Sequence, residues 1–270
     1  MRISIEWLKE FVDLKEAPDA LADMLSMLGF ESKVAHDFSS LKQVVVGKVV
    51  TAKKHPNADR LKLCTVNDGR DTLSVVCGAP NVDAGQTIVF ARVGSILPGD
   101  FVISKAKIRG EESRGMICSE RELGISDEHD GIMVLPNTLK VGNLIHPHLD
   151  KMYSALELDL TPNRPDGFSH YGIAREVALK TRRTLKNISV KTLNVKSKDV
   201  HTVAKVTIEN AIDCPRYMGA VLNNVTVGPS PDWMVERLKA AGQRSINNLV
   251  DISNYVLLEM GHPTHIFDFE

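Results

Sequence analysis

The spacing of apolar residues predicts two short helices within the first forty residues. Each helix places its apolar side chains on one narrow face: Trp7, Leu8 and Phe11 in the first, and Leu21, Leu25 and Leu28 in the second. Ser4 can cap the first helix, Pro18 can open the second, and Gly29 can end it. Because both faces are narrow, we expect these helices to need another element to pack against.

Between residues 41 and 150 the pattern changes to short runs that are typical of β-strands. The predicted strands cover residues 44–50, 61–65, 73–76, 87–93, 101–108, 115–118 and 132–135. Turn-forming pairs such as Pro56-Asn57 and Asp68-Gly69 separate several of them. Short strands at this spacing predict a small β-barrel that is closed or partly closed.

After residue 150 the pattern predicts helices on either side of a polar stretch. A turn-rich segment at residues 161–166 leads into a helix around residues 173–178, and the basic, polar residues 180–199 are typical of a linker. The elements predicted beyond it are, in order, strands at residues 203–208 and 217–227 and helices after Pro231 and from Asn248 to Met260. This is a thin core for about 70 residues, so we expect the last domain to be cut short.

Composition and charge narrow the class of protein. Hydrophobic residues make up 43% and charged residues 25% of the 270 residues, which excludes wholesale disorder and predicts about two domains. The net charge is −1, but residues 151–200 carry 10 basic and 5 acidic side chains, so nucleic-acid binding through a local patch stays open. The sequence has no C-x-x-C pair, secretory signal or membrane-spanning apolar run, which predicts a cytoplasmic protein with no membrane contact and no structural zinc.

A cluster of polar and basic residues surrounds the predicted turn at Pro56. Its candidate RNA-binding residues are Lys53, Lys54, His55, Asn57 and Arg60. A basic loop at the rim of a barrel can bind the phosphates of a nucleic acid. The alternative is a solvated hairpin, because runs of charge usually face water.

A second basic cluster begins on the strand predicted at residues 101–108. Strand alternation places Lys105, Lys107 and Arg109 on one face. Further on, a hydroxyl, a guanidinium and an apolar side chain are available to contact a base: Ser113, Arg114 and Met116. Aromatic residues make up only 5% of the chain, so we expect recognition of RNA shape and backbone with little base stacking.

A third group, near the end of the chain, combines one cation, several amides and a histidine. It includes Arg244, Asn247, Asn248, Asp251 and His265. Such a set can hold the phosphate and ribose of a nucleotide end, or an amino acid; alternatively, the asparagines cap turns and the histidine is structural. The motifs of phosphate-binding loops, dinucleotide-binding folds, zinc proteases and serine hydrolases are absent from the sequence, so no catalytic chemistry follows from spacing alone.

Six stretches carry a resemblance to a known family. In order along the chain they read HPNADRLKLCTVN, VVCGAPN, GSILPGDF, KAKIRGEESRGMICSERELGISDEHDGI, LDLTPNRPD and RSINNLVDISNYVLLEMGHPTHIFD. Together they resemble the β subunit of bacterial phenylalanine–tRNA ligase, and the resemblance runs from the first residue to the last. The barrel motif alone is less specific, since it also occurs in free-standing tRNA-binding modules.

The resemblance implies an α+β, multidomain fold. Residues 1–39 and 151–200 would form one small split helical domain, with an OB-fold, tRNA-binding β-barrel at residues 40–150 inserted in it. Residues 203–270 would be the beginning of an α/β editing domain of the B3/B4 type, truncated at its end. The chain would then be the N-terminal portion of a longer subunit, and this portion alone would not be catalytic.

The resemblance also implies partners and site residues. The parent complex, an α2β2 assembly with a catalytic α subunit, would attach phenylalanine to tRNA(Phe) using ATP and magnesium, whereas this chain would hold no cofactor or metal of its own. Its editing domain would help to deacylate mischarged Tyr-tRNA(Phe). Arg244 matches a residue that holds the 3′ end of the tRNA, and His265 matches one placed against the misattached amino acid. His262 departs from the glutamine that is usual before this proline.

Two other functions stay open on the sequence. A stand-alone module could bind tRNA or structured RNA without any synthetase role, and it should bind many tRNAs alike. In a purely structural role, the basic face of the barrel would pack against protein. Reversing the charges of Lys105 and Lys107 would then disturb assembly and leave RNA affinity unchanged.

Overall fold

The computed structural model describes residues 1–36, 38–190 and 199–269, which form both helices and strands. The helices are α1 (Ile5–Leu8), α2 (Pro18–Met27), α3 (His146–Tyr153), α4 (His170–Thr181), α5 (Asp232–Ala240) and α6 (Asn248–Met260). The strands are β1 (Arg2–Ser4), β2 (Glu31–Val34), β3 (Val44–His55), β4 (Ala58–Asn67), β5 (Thr72–Cys77), β6 (Thr87–Ala91), β7 (Ile96–Leu97), β8 (Phe101–Val102), β9 (Ala106–Ile108), β10 (Glu111–Ser113), β11 (Met116–Ile117), β12 (Val134–Leu135) and β13 (Ala155–Asp159). Short 3-10 turns cover Pro165–Gly167 and Val200–Thr202.

The first sheet joins residues that are far apart in the sequence. Its strands lie in the order β1–β13–β2 and pair antiparallel, with Ser4 opposite Ala155 and Val34 opposite Leu156. Both helices predicted here are present, but α1 ends at Leu8 and does not include Phe11. Ser4 caps α1 by accepting the Trp7 N–H at 3.4 Å. Sequence periodicity does not reveal the strands, because β1 and β2 have only three and four residues.

One apolar core covers this sheet and draws on both ends of the chain. Its buried side chains include Trp7 from α1, Leu25 from α2, Ile173 from α4, Leu238 from α5 and Leu258 from α6. The narrow apolar face of α1 therefore packs against α3 and α4, more than 130 residues later in the chain, and that of α2 packs against β2 and β13. This packing is what the narrow faces require.

The second sheet is built around β3. Its strand order is β11–β6–β3–β4–β5, β12 also pairs with β6, and every pair is antiparallel. Side chains of β3 alternate between two cores: Val44 and Val46 enter one, and Val45 and Val49 enter the other. The run of β-branched residues at the start of β3 is therefore buried on both faces.

The barrel predicted from the strand pattern is not closed by strand pairing. Among the described residues no ladder joins the outer strands β11 and β5. Two hydrogen bonds nevertheless cross between the segment at β10 and β5: the Arg114 N–H donates to the Ser74 carbonyl at 2.9 Å, and the Val76 N–H donates to Ser113 Oγ at 3.1 Å. The strand predicted at residues 101–108 is divided into β8 and β9, which pair with β7 and β10 in two small sheets.

The two helices predicted near the end of the chain are confirmed. Asn247 caps α6 by accepting the N–H groups of Leu249 and Val250, and Gly261 ends the helix at a φ of 74°. The positive φ explains why a glycine follows the last turn. Within the described ranges no helix is long and apolar enough to cross a membrane.

The strands predicted at residues 203–208 and 217–227 are absent, and this prediction is wrong. Residues 203–227 form no strand, and most of their apolar side chains are exposed, with Leu222 at 75%. A strand is stabilised by a neighbour that pairs with its backbone, and no described segment pairs with this one. Residues 191–198 of the predicted linker lie outside the described residues.

A buried histidine joins α6 to the first sheet. The Trp7 ring stacks on both His170 and Tyr255, with ring centroids 4.0 and 4.4 Å apart. His170 Nε2 accepts the Ser4 N–H at 2.9 Å, and Nδ1 lies 2.8 Å from the Leu258 carbonyl, to which it donates. Because one ring nitrogen accepts and the other donates, the ring is neutral. Burial lowers the pKa of His170 to about 4.

Candidate nucleic-acid interface

The first predicted basic cluster lies at the tip of the β3–β4 hairpin. Lys53, Lys54 and Arg60 are exposed there. Lys54 forms an ion pair with Asp59 at 2.9 Å, and both side chains are largely in water, so water screens this pair. In the part of the chain that the structure describes, Lys53 and Arg60 have no ion-pair partner. The tip therefore presents positive charge that is not neutralised by the protein.

The second predicted cluster lies on the β9–β10 hairpin. Ile108 pairs with Glu111 across a two-residue turn, and both turn residues have positive φ, 51° at Arg109 and 100° at Gly110. Two-residue hairpin turns favour such backbone angles. Of the three cations predicted to share one strand face, only Lys107 lies in the strand, so that prediction is wrong. The turn begins at Arg109, and Lys105 precedes the strand.

Lys105, Lys107 and Arg109 are nevertheless all exposed. Among the described residues none of the three has an ion-pair partner, although Lys107 lies opposite Glu112 in the strand pairing. Neither basic hairpin contains a phenylalanine, tyrosine or tryptophan between residues 53 and 62 or between 105 and 116. The two hairpins can therefore attract phosphates but cannot stack on bases.

His55 is not available to bind a phosphate, contrary to the prediction. Its side chain is buried, with the residue only 2% exposed. Its ring nitrogens face the Asn57 N–H at 3.0 Å and the Ile108 carbonyl at 3.3 Å. Asn57 is exposed, but its side-chain amide donates to the Arg109 carbonyl at 3.5 Å. Both residues therefore connect the two hairpins, His55 from a buried position and Asn57 from an exposed one.

The three residues predicted to contact a base have different surroundings. Ser113 is buried, and its hydroxyl accepts the Val76 N–H and donates to the Gly115 carbonyl, so it has no hydroxyl to offer. Met116 is half-buried against the second sheet's core. Arg114 is exposed, and its guanidinium bonds both carboxylate oxygens of Glu112 at 3.0 and 3.2 Å. This contact lowers the pKa of Glu112.

The third predicted group is organised by a buried carboxylate. Asp251 accepts hydrogen bonds from the Ser230 hydroxyl at 2.5 Å, the Ser245 hydroxyl at 2.6 Å and the Ile246 N–H at 2.9 Å. Burial raises the pKa of Asp251, but these hydrogen bonds outweigh it and hold the pKa below its usual value. Asp251 therefore fixes the segment that follows Arg244. Nothing in the local pattern indicates that Ser230, 21 residues away, is its partner.

Arg244 and His265 are both exposed and are not in contact in the described residues. The Arg244 side chain is 84% exposed and lies 3.7 Å from the Glu128 carboxylate. The His265 ring stacks on Phe267 at a centroid distance of 6.3 Å. Across the described ranges, no three His, Cys, Asp or Glu side chains are placed to hold a metal ion.

Comparison with known proteins assigns both regions to families. The model of the putative tRNA binding domain matches residues 44–144, and that of the B3/4 domain matches residues 213–270. The phenylalanine–tRNA ligase beta subunit of Syntrophotalea carbinolica is 47% identical over 272 aligned residues, which cover 100% of this chain. That of Geobacter metallireducens is 48% identical over 271 residues and 99% of this chain. The chain belongs to the phenylalanine–tRNA ligase β-subunit family.

The family predicted from the six sequence stretches is thus confirmed. The chain spans about a third of its curated relatives, since each alignment covers 34% of the relative. Among solved structures, the MetRS related protein from Pyrococcus horikoshii matches 44% of this chain and 93% of its own, at 21% identity and a TM-score of 0.29. So low a score adds nothing to the family assignment.

The two family matches divide the candidate residues between them. The tRNA-binding match contains both basic hairpins, from Lys53 to Met116. The B3/4 match contains α5, α6, Arg244 and His265. The mixed α and β composition of the predicted fold is confirmed by the strands of the first region and the helices of the second.

Proposed function

We propose that this chain binds tRNA(Phe) through the two basic hairpins, as a portion of a phenylalanine–tRNA ligase β subunit. The observation that carries the proposal is a group of exposed cations on adjoining hairpins, without ion-pair partners among the described residues: Lys53, Arg60, Lys105, Lys107 and Arg109. Exposed cations that no carboxylate pairs with bind phosphates with release of counterions. Because no aromatic residue lies on either hairpin, the surface suits a folded RNA backbone better than unstacked bases.

We further propose the finer architecture that the family resemblance implies. Residues 40–150 would be an OB-fold barrel, and the Arg114–Ser74 and Val76–Ser113 hydrogen bonds across its open side support this. Residues 1–39 and 151–200 would be one split domain, and β13 lying between β1 and β2 supports this. Residues 203–270 would begin the editing domain.

Removing four lysines from the two hairpins is expected to weaken tRNA(Phe) binding about 100-fold at moderate salt. The variant replaces Lys53, Lys54, Lys105 and Lys107 with alanine in the full-length protein. Each lysine that contacts a phosphate should lower the slope of log affinity against log salt by about 1. The measurement is equilibrium binding of a tRNA(Phe) transcript across a salt series.

The matched control replaces four exposed cations outside the hairpins, Lys15, Lys33, Arg70 and Lys180. It should bind like the native protein. An equal loss in both variants would mean that overall charge, and not these hairpins, binds the RNA. Equal affinity of the native protein for other tRNAs would instead favour a general RNA-binding module. A third outcome concerns a variant in which the charges of Lys105 and Lys107 are reversed. If this variant keeps its RNA affinity but assembles poorly, a structural role is favoured.

For the second region, we propose a part in editing, in which Arg244 holds the 3′ end of the tRNA and His265 faces the misattached tyrosine. The B3/4 match and the fixed position of the segment after Arg244 support this. Phenylalanine and tyrosine differ by one hydroxyl, which an apolar pocket rejects only weakly. A second, hydrolytic site is therefore useful. We place the parent complex, an α2β2 assembly using ATP and magnesium, in the cytoplasm.

Substituting Arg244 or His265 by alanine is expected to slow deacylation of Tyr-tRNA(Phe) about 100-fold or more, in the range for a lost positioned catalytic group. Attachment of phenylalanine should be unchanged, because the α subunit would carry that reaction. The assay uses the full-length subunit assembled with its α subunit. The control is Arg216→Ala, an exposed arginine in the same region; full deacylation by the Arg244 and His265 variants would contradict the proposal.

A further inference from the structure

The tip of the β3–β4 hairpin meets the turn of the β9–β10 hairpin through two side chains. His55 Nδ1 accepts the Asn57 N–H at 3.0 Å. In the neutral ring the proton must then lie on Nε2, which donates to the Ile108 carbonyl at 3.3 Å. Asn57 Nδ2 adds a longer hydrogen bond, 3.5 Å, to the next carbonyl along, that of Arg109.

The β9–β10 hairpin depends on such contacts for its position. Each strand has three residues, and the pair forms a sheet of its own. A short two-stranded hairpin is marginal by itself in water. Its far end is tied to β5 by Ser113 and Arg114. The end that carries the turn is tied to the β3–β4 tip by His55 and Asn57.

We propose that His55 and Asn57 are positioning residues that hold the two basic hairpins together as one phosphate-binding surface. Lys53 lies two residues before His55, and Lys107 and Arg109 flank Ile108 on either side, so the contact lies between the cations it aligns. Fixing both hairpins in advance removes the ordering that RNA would otherwise have to impose on them. His55 itself touches no RNA, because it is buried. This inference rests on the proposed tRNA binding.

A positioning role predicts that the two hairpins lose their cooperation when His55 is removed. In native His55 background, replacing Lys107 and Arg109 together with alanine should weaken binding of the tRNA(Phe) transcript about 10-fold. In a His55→Ala background the same pair of substitutions should cost less than about 2-fold, because the β9–β10 cations no longer bind together with those of β3–β4. A merely structural histidine would leave the two losses equal.

A conservative variant and a control sharpen the experiment. His55→Gln keeps a side-chain N–H that can reach the Ile108 carbonyl, so it should restore most of the affinity and of the coupling. Arg70 lies in the β4–β5 turn, at the end of β4 that is farther from His55. The Arg70→Ala substitution should therefore show no coupling to His55. If His55→Ala folds poorly, Asn57→Ala replaces it, since Asn57 is exposed and its loss leaves no cavity. All measurements use the full-length protein.

Hydrogen exchange of the β9–β10 amides separates failure of this inference from failure of the proposed function. The exchange should be about 10-fold faster in His55→Ala than in the native protein, and close to native in His55→Gln. Equal losses of affinity in both backgrounds would overturn the positioning role. If the cation variants bind tRNA like the native protein, the proposed binding surface is wrong. If the hydrogen exchange of His55→Ala is also unchanged, the proposed connection between the hairpins is wrong as well.

Discussion

Replacing Gly172 by alanine is expected to destabilise the protein by about 3 kcal/mol, the upper end of the usual range for overpacking. Gly172 lies in the first turn of α4, where helix propensity alone predicts a gain of about 1 kcal/mol from alanine. A Cβ at this position would lie 1.9 Å from the Asp166 carbonyl oxygen and 3.0 Å from Ser169 Oγ. Ser169 Oγ caps α4 by accepting the Gly172 N–H at 2.9 Å, so the methyl group would displace the cap as well.

The measurement is the free energy of unfolding in urea. Gly228→Ala is the matched control, since a Cβ there meets nothing within 4 Å and its φ is not positive. We expect the control to change stability by less than about 0.5 kcal/mol. A Gly172→Ala variant as stable as the native protein would contradict this prediction. It would mean that the turn at residues 165–167 can move away from α4 at no cost in free energy.

Lowering the pH from 7 to 5 is expected to cost about 2 kcal/mol of stability through His170 alone. The pKa of this ring is about 4 in the folded protein, against the 6.5 of a histidine in water. Between these two pH values the unfolded chain binds a proton at His170 that the folded protein does not bind. The contribution of His170 to the free energy of unfolding is therefore fully present above pH 6.5 and is lost as the pH falls toward 4. Protonation would also remove the acceptor that Nε2 offers to the Ser4 N–H.

The test compares the native protein with His170→Gln in urea at pH 7, 6 and 5. Glutamine keeps one acceptor and one donor but does not titrate, so its stability should fall less steeply with acid. The measurements stop at pH 5 because carboxylates with a lowered pKa, such as Asp251, also reduce the stability of the folded protein at more acidic pH. The His36 and His148 pKa values are also lowered, by burial, and both residues are common to the two proteins. Parallel curves would contradict the assignment to His170.

The periodicity of apolar residues predicted those helices and strands whose formation depends on residues close together in the sequence. Helices α1, α2 and α6 with their caps follow from apolar spacing and from Ser4, Pro18 and Asn247. The valine run of β3 indicates a strand, and the six motif stretches indicate the family. In contrast, β1, β2 and β13 are too short for a pattern, and each exists because the others pair with it. The apolar runs in residues 203–227 look like strands, but no segment that the structure describes pairs with them.

For the candidate interface, the sequence by itself determined where the cations lie and that no aromatic residue accompanies them. Only the tertiary structure decided which polar residues are free to bind. His55 is turned inward by a carbonyl 53 residues away, and Ser113 by an amide 37 residues away. A side chain's type is encoded at its own position, whereas its burial depends on which distant backbone groups the fold brings within hydrogen-bond distance of it.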